Sequence, residues 1–313
     1  MSKGRFHEDL IAANILFGAN FSFYVSLIRS YLHFEQLFIL QVTTAALFFI
    51  PSALFSPRTY RISWRDLLHI FPISLLVVYG WMYLLLWGSS YTSPIEAAII
   101  ATLGPAFTLY IDRLLHHGQA FNRSRIVGLL CIFLGAWLLI FDKGFVLIKG
   151  SRGWGNLLVL GAVIAIATNT VLIKPQLERL GTRVVMGWYY LIGSALTLPF
   201  FAHQIDLQQL LQLPLTALAE LAYVLLLGTV WPMWLLYRGA EHLTAIHTAL
   251  YRYIQPLIAG ALALYRHQAT FDATNITALV LIFIGIVLTV IGYRESLKAL
   301  SGLRVPRHPR QKR

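Results

Sequence analysis

One arginine stands well inside an apolar run. Arg252 lies eight residues past Thr244, about 12 Å into a hydrocarbon core of about 30 Å if the run crosses a bilayer. A charge at that depth costs several kcal/mol unless a carboxylate, carbonyls or water compensate it. A guanidinium presents a planar fork that matches a carboxylate. Arg252 therefore either binds an anionic group of a substrate or a mobile internal carboxylate, or is a structural pin held by helix-end carbonyls. Its neighbours support a lined face. At about 100° per residue, His247, Tyr251, Thr244, Gln255, Thr248 and Arg252 fall within an arc of about 140°. Ile246, Ala249, Leu250 and Ile254 occupy the other side. Such a stripe faces a cavity or other helices, away from lipid.

Glu96 is the acidic residue expected within a span rather than at its edge, and at an offset of 151 its counterpart is His247. Both are titratable in a low-dielectric place and are the candidates for proton coupling. The alternatives are that Glu96 favours its helix N-terminus and His247 is a satisfied polar group. In the first span Asn14, Gly18, Ser22, Ser26 and Arg29 share a polar or small face suited to a cavity, while Asn20 lies on another side as helix–helix glue. Asn169 and Thr170 play the corresponding part in the sixth span. Trp81 and Trp231 are expected near midspan, apart from the interfacial aromatics. The expected substrate-binding set is Arg252, Tyr251, Gln255, His247, Asn14, Gly18, Ser22, Trp81, Trp231 and Asn169. Gln41 and Tyr189 are weaker candidates, and Lys174 is expected to snorkel.

These residues must be positioned by membrane-length helices. The chain of 313 residues is 58% hydrophobic and 12% charged, about half the charge of a soluble domain. Ten apolar stretches run roughly 10–28, 37–55, 67–88, 93–115, 126–141, 154–173, 184–202, 215–237, 244–265 and 276–293. The segment Tyr79 to Pro105 reappears as Val230 to Pro256: Met82 meets Met233, Gly88 meets Gly239 and Pro105 meets Pro256. Five helices is an odd number, so a second copy enters from the opposite side. The predicted architecture is an all-α integral membrane protein with ten transmembrane helices, built as two inverted five-helix repeats around a central cavity. The repeats cover 1–147 and 148–293, followed by a basic cytoplasmic tail over 294–313.

The net charge of +12 does not indicate nucleic acid. With the N-terminus inside, inner segments hold 19 Lys and Arg and outer loops hold 5. That bias puts both termini in the cytoplasm. The tail then faces anionic lipid. The one cysteine, Cys131, permits no internal disulfide. Paired prolines, Pro51 with Pro199 and Pro105 with Pro256, permit kinks. Glycine pairs in the fifth and tenth spans read as close-packing surfaces. No metalloprotease, nucleophile-elbow or P-loop pattern is present, so neither an enzyme nor a cofactor is expected. The expected function is a secondary transporter that moves a small polar or amphiphilic metabolite by alternating access, with an intramembrane enzyme and a passive channel as rivals.

Several segments together resemble a known family. Asn14 to Ser22 (NILFGANFS) opens the first span and Thr92 to Pro105 (TSPIEAAIIATLGP) the fourth. Gly155-Asn156-Leu157-Leu158 opens the sixth, which ends Val171-Leu172-Ile173-Lys174-Pro175. Gly228-Thr229 and Gln255-Pro256 follow. Their order and spacing over about residues 8–293 resemble the EamA-type members of the drug/metabolite transporter superfamily. The resemblance implies a carrier of amino-acid-like or other small metabolites in the inner (plasma) membrane, with spans one to four and six to nine around a central cavity and the fifth and tenth outside it. This chain differs at Gln41, where relatives often carry Arg, and at Trp81-Met82, where they often carry Asn-Gln. Gln119 and Gln268 replace usual Glu, Glu96 replaces a common Asn, and Arg252 replaces a usually apolar residue.

Overall fold

The structure is a computed structural model describing residues 3–58, 62–116, 123–141, 151–268 and 273–303. Arg61, Gln119, Lys143, Lys149 and the end of the basic tail lie outside the described residues. Among the described residues every regular element is helical. The first half comprises α1 (Lys3–Ser30), α2 (Phe34–Leu54), α3 (Trp64–Leu75), a π-helical stretch (Leu76–Tyr83), α4 (Leu84–Ser89), α5 (Pro94–Ala101), α6 (Gly104–His116) and α7 (Arg123–Phe141). Then come α8 (Arg152–Leu172), α9 (Lys174–Leu180), α10 (Thr182–Phe201), α11 (Leu207–Leu211), α12 (Leu215–Ala222) and a second π-helical stretch (Tyr223–Val230). The chain continues through α13 (Trp231–His242), α14 (Ala245–Leu250), a 3-10 turn (Tyr251–Tyr253), α15 (Ile254–Tyr265) and α16 (Ala273–Leu303).

Among the described residues, seven helical segments are long and apolar enough to cross a membrane: Gly4–Ser30, Phe34–Leu54, Trp64–Ser89, Pro94–Leu115, Arg152–Leu172, Thr182–Gln204 and Leu215–His242. The chain is therefore a multi-pass integral membrane protein. The other three expected spans differ from simple rods. The fifth and tenth fall in α7 and α16, whose apolar runs Ile126–Gly135 and Ala273–Thr289 are shorter. The ninth is interrupted by the 3-10 turn before Pro256.

Local chemistry sets these boundaries. Ser63, Ser93, Ser151 and Thr244 each cap a helix by accepting an N–H from the residue three further on. Pro94 follows Ser93 at the first helical position, where its missing N–H costs nothing. Gly181, at φ 79°, turns the chain between α9 and α10. Proline explains the breaks deeper in the bundle, since each denies a helical partner to the carbonyl four residues earlier. For Pro232 that carbonyl belongs to Gly228, and the Asn20 side-chain amide donates to it at 2.5 Å. A neighbouring helix thus satisfies the backbone group that lipid could not.

Small residues set the closest approaches. Added Cβ atoms on Gly88 and Gly155 would each come within 2.9 Å of the other's carbonyl oxygen, so α4 and α8 pack backbone to backbone. On Gly128 of α7 a Cβ would lie 2.6 Å from the Gly285 carbonyl of α16, and on Gly135 it would lie 2.8 Å from that of Ala278. The expected packing role of the glycines in the fifth and tenth spans is seen at these positions. Phe49 of α2 stacks on Tyr190 of α10, and both rings are fully buried.

Polar contacts sort to the two ends of the bundle. At the end where α1 starts, Arg238 donates to Asp9 at 2.7 Å, and His7 bonds Tyr251 at 2.6 Å. There Glu241 accepts from the backbone and hydroxyl of Thr182 at 3.0 and 2.8 Å. At the opposite end Arg29 donates to the Thr92 carbonyl at 2.9 Å, Arg152 pairs with Glu96 at 3.3 Å, and Arg266 pairs with Glu220.

Candidate functional site

Between these ends α1, α5, α8, α13 and the broken segment 245–265 enclose a pocket. α1 contributes Asn14, Phe17, Asn20, Phe21 and Tyr24. Trp81, Leu85 and Ala101 line it from the first half; Ala162, Val163, Ile166, Leu236, Arg252 and Gln255 line it from the second. Its open space in this conformation is about 30 Å³, enough for a water or two.

Arg252 sits in the 3-10 turn and is 7% exposed. Among the described residues its guanidinium makes one hydrogen bond, to the Thr170 hydroxyl at 3.4 Å. Its side chain passes over Gly104, where an added Cβ would lie 3.3 Å from Cδ. A glycine here makes room for the arginine. Gln255 donates to Asn14 Oδ1 at 2.7 Å, and the Asn14 amide donates to the Leu10 carbonyl at 2.7 Å. These bonds fix two amides at the pocket wall. Behind the wall, Gln41 donates to Tyr24 at 3.1 Å and to Thr229 at 2.8 Å. Gln41 therefore orients Tyr24 and does not itself line the pocket.

Of the expected binding set, Arg252, Gln255, Asn14 and Trp81 come together at the pocket. The others go elsewhere. His247 is exposed in the first turn of α14 and bonds Thr244 at 2.6 Å. Tyr251 turns toward His7. The expected single polar face splits because the 3-10 turn advances about 120° per residue against about 100° in an α-helix. Depth separates the residues as well: the first turn lies at the bundle end and Arg252 lies inside.

Gly18, Ser22 and Ser26 form a packing seam, not a cavity wall. A Cβ on Gly18 would lie 2.8 Å from the Gln255 carbonyl, Ser22 donates to Gln268, and Ser26 accepts from Arg266 at 3.1 Å. Trp231 is 50% exposed on the perimeter, against the midspan cavity position expected for it. Asn169 lies behind the pocket, donating to Tyr189 and accepting from Tyr237, each at 2.7 Å. Lys174 reaches the Ala240 and Glu241 carbonyls at 2.8 and 3.0 Å and is not simply a snorkelling side chain.

Glu96 is the third residue of α5, not deep in a span, and is 3% exposed. Besides Arg152, it accepts from Asn156 at 2.9 Å and from Thr92 at 3.2 Å. It sits in a polar knot at one bundle end, outside the pocket lining.

Sequence reasoning missed Phe17, Phe21 and Tyr24 and read Asn20 as glue only. These four stand at i, i+4, i+7 and i+3 of one helix face, a spacing legible in the sequence. The stripe of small polar residues drew attention to the wrong side of α1. Ala162, Val163 and Ile166 carry no chemical signal that could have singled them out.

The EamA-like transporter family matches residues 10–141 and again 153–291. No curated protein matches the sequence. A crystal structure of a protein 18% identical to this chain superposes over 94% of it and 99% of its own length, with a TM-score of 0.61. That likeness concerns the fold alone. The two matched segments span most of the chain, and it belongs to the EamA-like family of membrane transporters, within the drug/metabolite transporter superfamily.

Proposed function

We propose that this chain is a secondary transporter moving a small polar or amphiphilic metabolite by alternating access, with the Arg252 pocket as its substrate site. One observation carries the reading: a buried guanidinium with, among the described residues, a single hydroxyl partner faces a cavity lined by both halves of the chain. The finer architecture is ten spans in two inverted repeats, 1–147 and 148–293, with a basic tail over 294–313. Two features support it. The family match recurs in both halves. α1 starts at the end held by Asp9 and Arg238, whereas α8 starts at the opposite end, beside Glu96.

In this reading both termini are cytoplasmic and the membrane is the inner (plasma) membrane. Arg252 binds an acidic group of the substrate. Gln255, Asn14 and Trp81 orient the rest, and Glu96 with its partners serves proton coupling at one mouth. Polar latches at both ends and the narrow pocket between them are what a nearly occluded state requires.

Counterflow in proteoliposomes tests the mechanism. A carrier shows saturable trans-stimulation, whereas a channel or an intramembrane enzyme shows none. Cysteine labelling of the tail after Arg294 tests the topology, and modification from outside the cell would sink the inverted-repeat arrangement.

A further inference from the structure

We infer that the pocket takes a monoanion: an organic carboxylate with an apolar or aromatic body and no ammonium group. This rests on the pocket being the substrate site and narrows the class of metabolite. Of the fourteen residues lining the pocket, Arg252 alone carries a charge. Four carboxylates of the surrounding elements are engaged away from it, and Glu8 of α1 is exposed near the start of that helix. Asp9 is held by Arg238, Glu96 by Arg152 and Asn156, Glu220 by Arg266, and Glu241 by Thr182 and Arg58. No internal acid among these is free to meet the guanidinium.

Charge balance then decides the ligand. A bound carboxylate brings the pocket to neutrality, and its two oxygens fit the guanidinium fork. A zwitterion leaves the pocket at net +1 and places an ammonium in a low-dielectric site near a like charge. The wall offers that ammonium no carboxylate. Asn14 Oδ1 is taken by Gln255. Asn20 Oδ1 is buried against Gly228 and has no hydrogen-bond partner among the described residues, but it is a neutral acceptor and brings no negative charge. What remains for an ammonium is neutral: the Gln255 and Tyr24 side-chain oxygens and the Trp81 face, whose cation–π contact is worth only about 0.5–2 kcal/mol. Phe17, Phe21, Trp81, Leu85 and Ile166 supply an apolar lining for the ligand's body.

The test is calorimetric titration of the full-length protein in lipid nanodiscs with three probes sharing one body: 3-phenylpropanoate, phenylalanine and 3-phenylpropylamine. 3-Phenylpropanoate is expected to bind at least about tenfold more tightly than phenylalanine, a difference of about 1.4 kcal/mol, with the amine weakest, because only the ammonium-bearing probes must desolvate a cation beside Arg252. Arg252→Met should bring the carboxylate-to-zwitterion ratio close to one. Phenylalanine binding as tightly as 3-phenylpropanoate overturns the inference, as does absence of binding by all three probes. The wild-type ranking alone decides this if the variant does not fold. A probe that binds in the expected order but drives no trans-stimulated exchange counts against the transport reading and leaves the charge selectivity standing.

Discussion

The segments 94–116 and 245–265 use one backbone device for two different purposes. Each starts behind a Ser or Thr cap, at Ser93 or Thr244. Each loses regular α-helix near its middle, just ahead of Pro105 or Pro256. At the offset of 151, Ala101 corresponds to Arg252, and both line the pocket. Gly104 corresponds to Gln255, and Glu96 to His247. The chemistry is therefore one-sided: the second segment carries the charge and an amide, while the first supplies an alanine and a glycine that leave room for them. At the bundle ends the asymmetry reverses. Glu96 is buried in a knot of Arg152, Asn156 and Thr92, whereas His247 is exposed with Thr244 as its partner. Duplicated backbone sets where a helix may break; individual side chains decide which break binds.

The largest test removes the charge from the second segment. Arg252→Met should weaken uptake of an anionic substrate at least about a hundredfold, since each hydrogen bond to a charged group contributes about 1.5–3 kcal/mol. Arg252→Lys, which keeps charge without the fork, should cost about three- to tenfold. Substrate affinity measured by counterflow checks both, and unaltered affinity in Arg252→Met would make the residue a structural pin.

The next test concerns the end knot. Glu96→Gln keeps the shape and one accepting oxygen for Asn156 and Thr92, loses the Arg152 ion pair, and removes the titrating group. Counterflow should persist while the response of uptake to an imposed pH gradient disappears. pH-driven uptake equal to wild type removes Glu96 from coupling.

Gly104→Ala probes the dependence of one segment on the other. The new methyl would lie 3.3 Å from Arg252 Cδ, so the guanidinium must shift slightly, and affinity should fall about two- to fivefold. An unchanged Kd would mean the arginine has slack. His247→Ala should move transport by less than about twofold, since exposed substitutions away from a site usually change little. A tenfold loss would restore His247 to the mechanism and undo the contrast with Glu96.

How far the sequence reaches is visible within single helices. The membrane-length apolar stretches and the paired prolines were legible because they depend on local order and composition. Arg252 was legible for the same reason: a guanidinium in an apolar run is conspicuous without any partner being known. The stripe on α1 shows the limit. Asn14, Gly18, Ser22 and Ser26 share a face, yet one of them lines the pocket and the others zip against α15 and its following loop. A small polar face fits both tasks, and only the position of the neighbouring helix separates them.

By itself the sequence determined that this chain spans a membrane several times, that its second half repeats the first, and that one buried cation must be answered. These follow from hydrophobicity, self-similarity and the cost of desolvating a charge. Tertiary structure alone decided that Asn20 and three aromatic residues wall the pocket and that Trp231 faces outward. It also decided that Asp9, Glu96, Glu220 and Glu241 pair elsewhere, leaving Arg252 one hydroxyl among the described residues. Such pairings join residues far apart in the chain, up to Asp9 with Arg238. They depend on how the broken helices tilt and rotate, which no local pattern encodes.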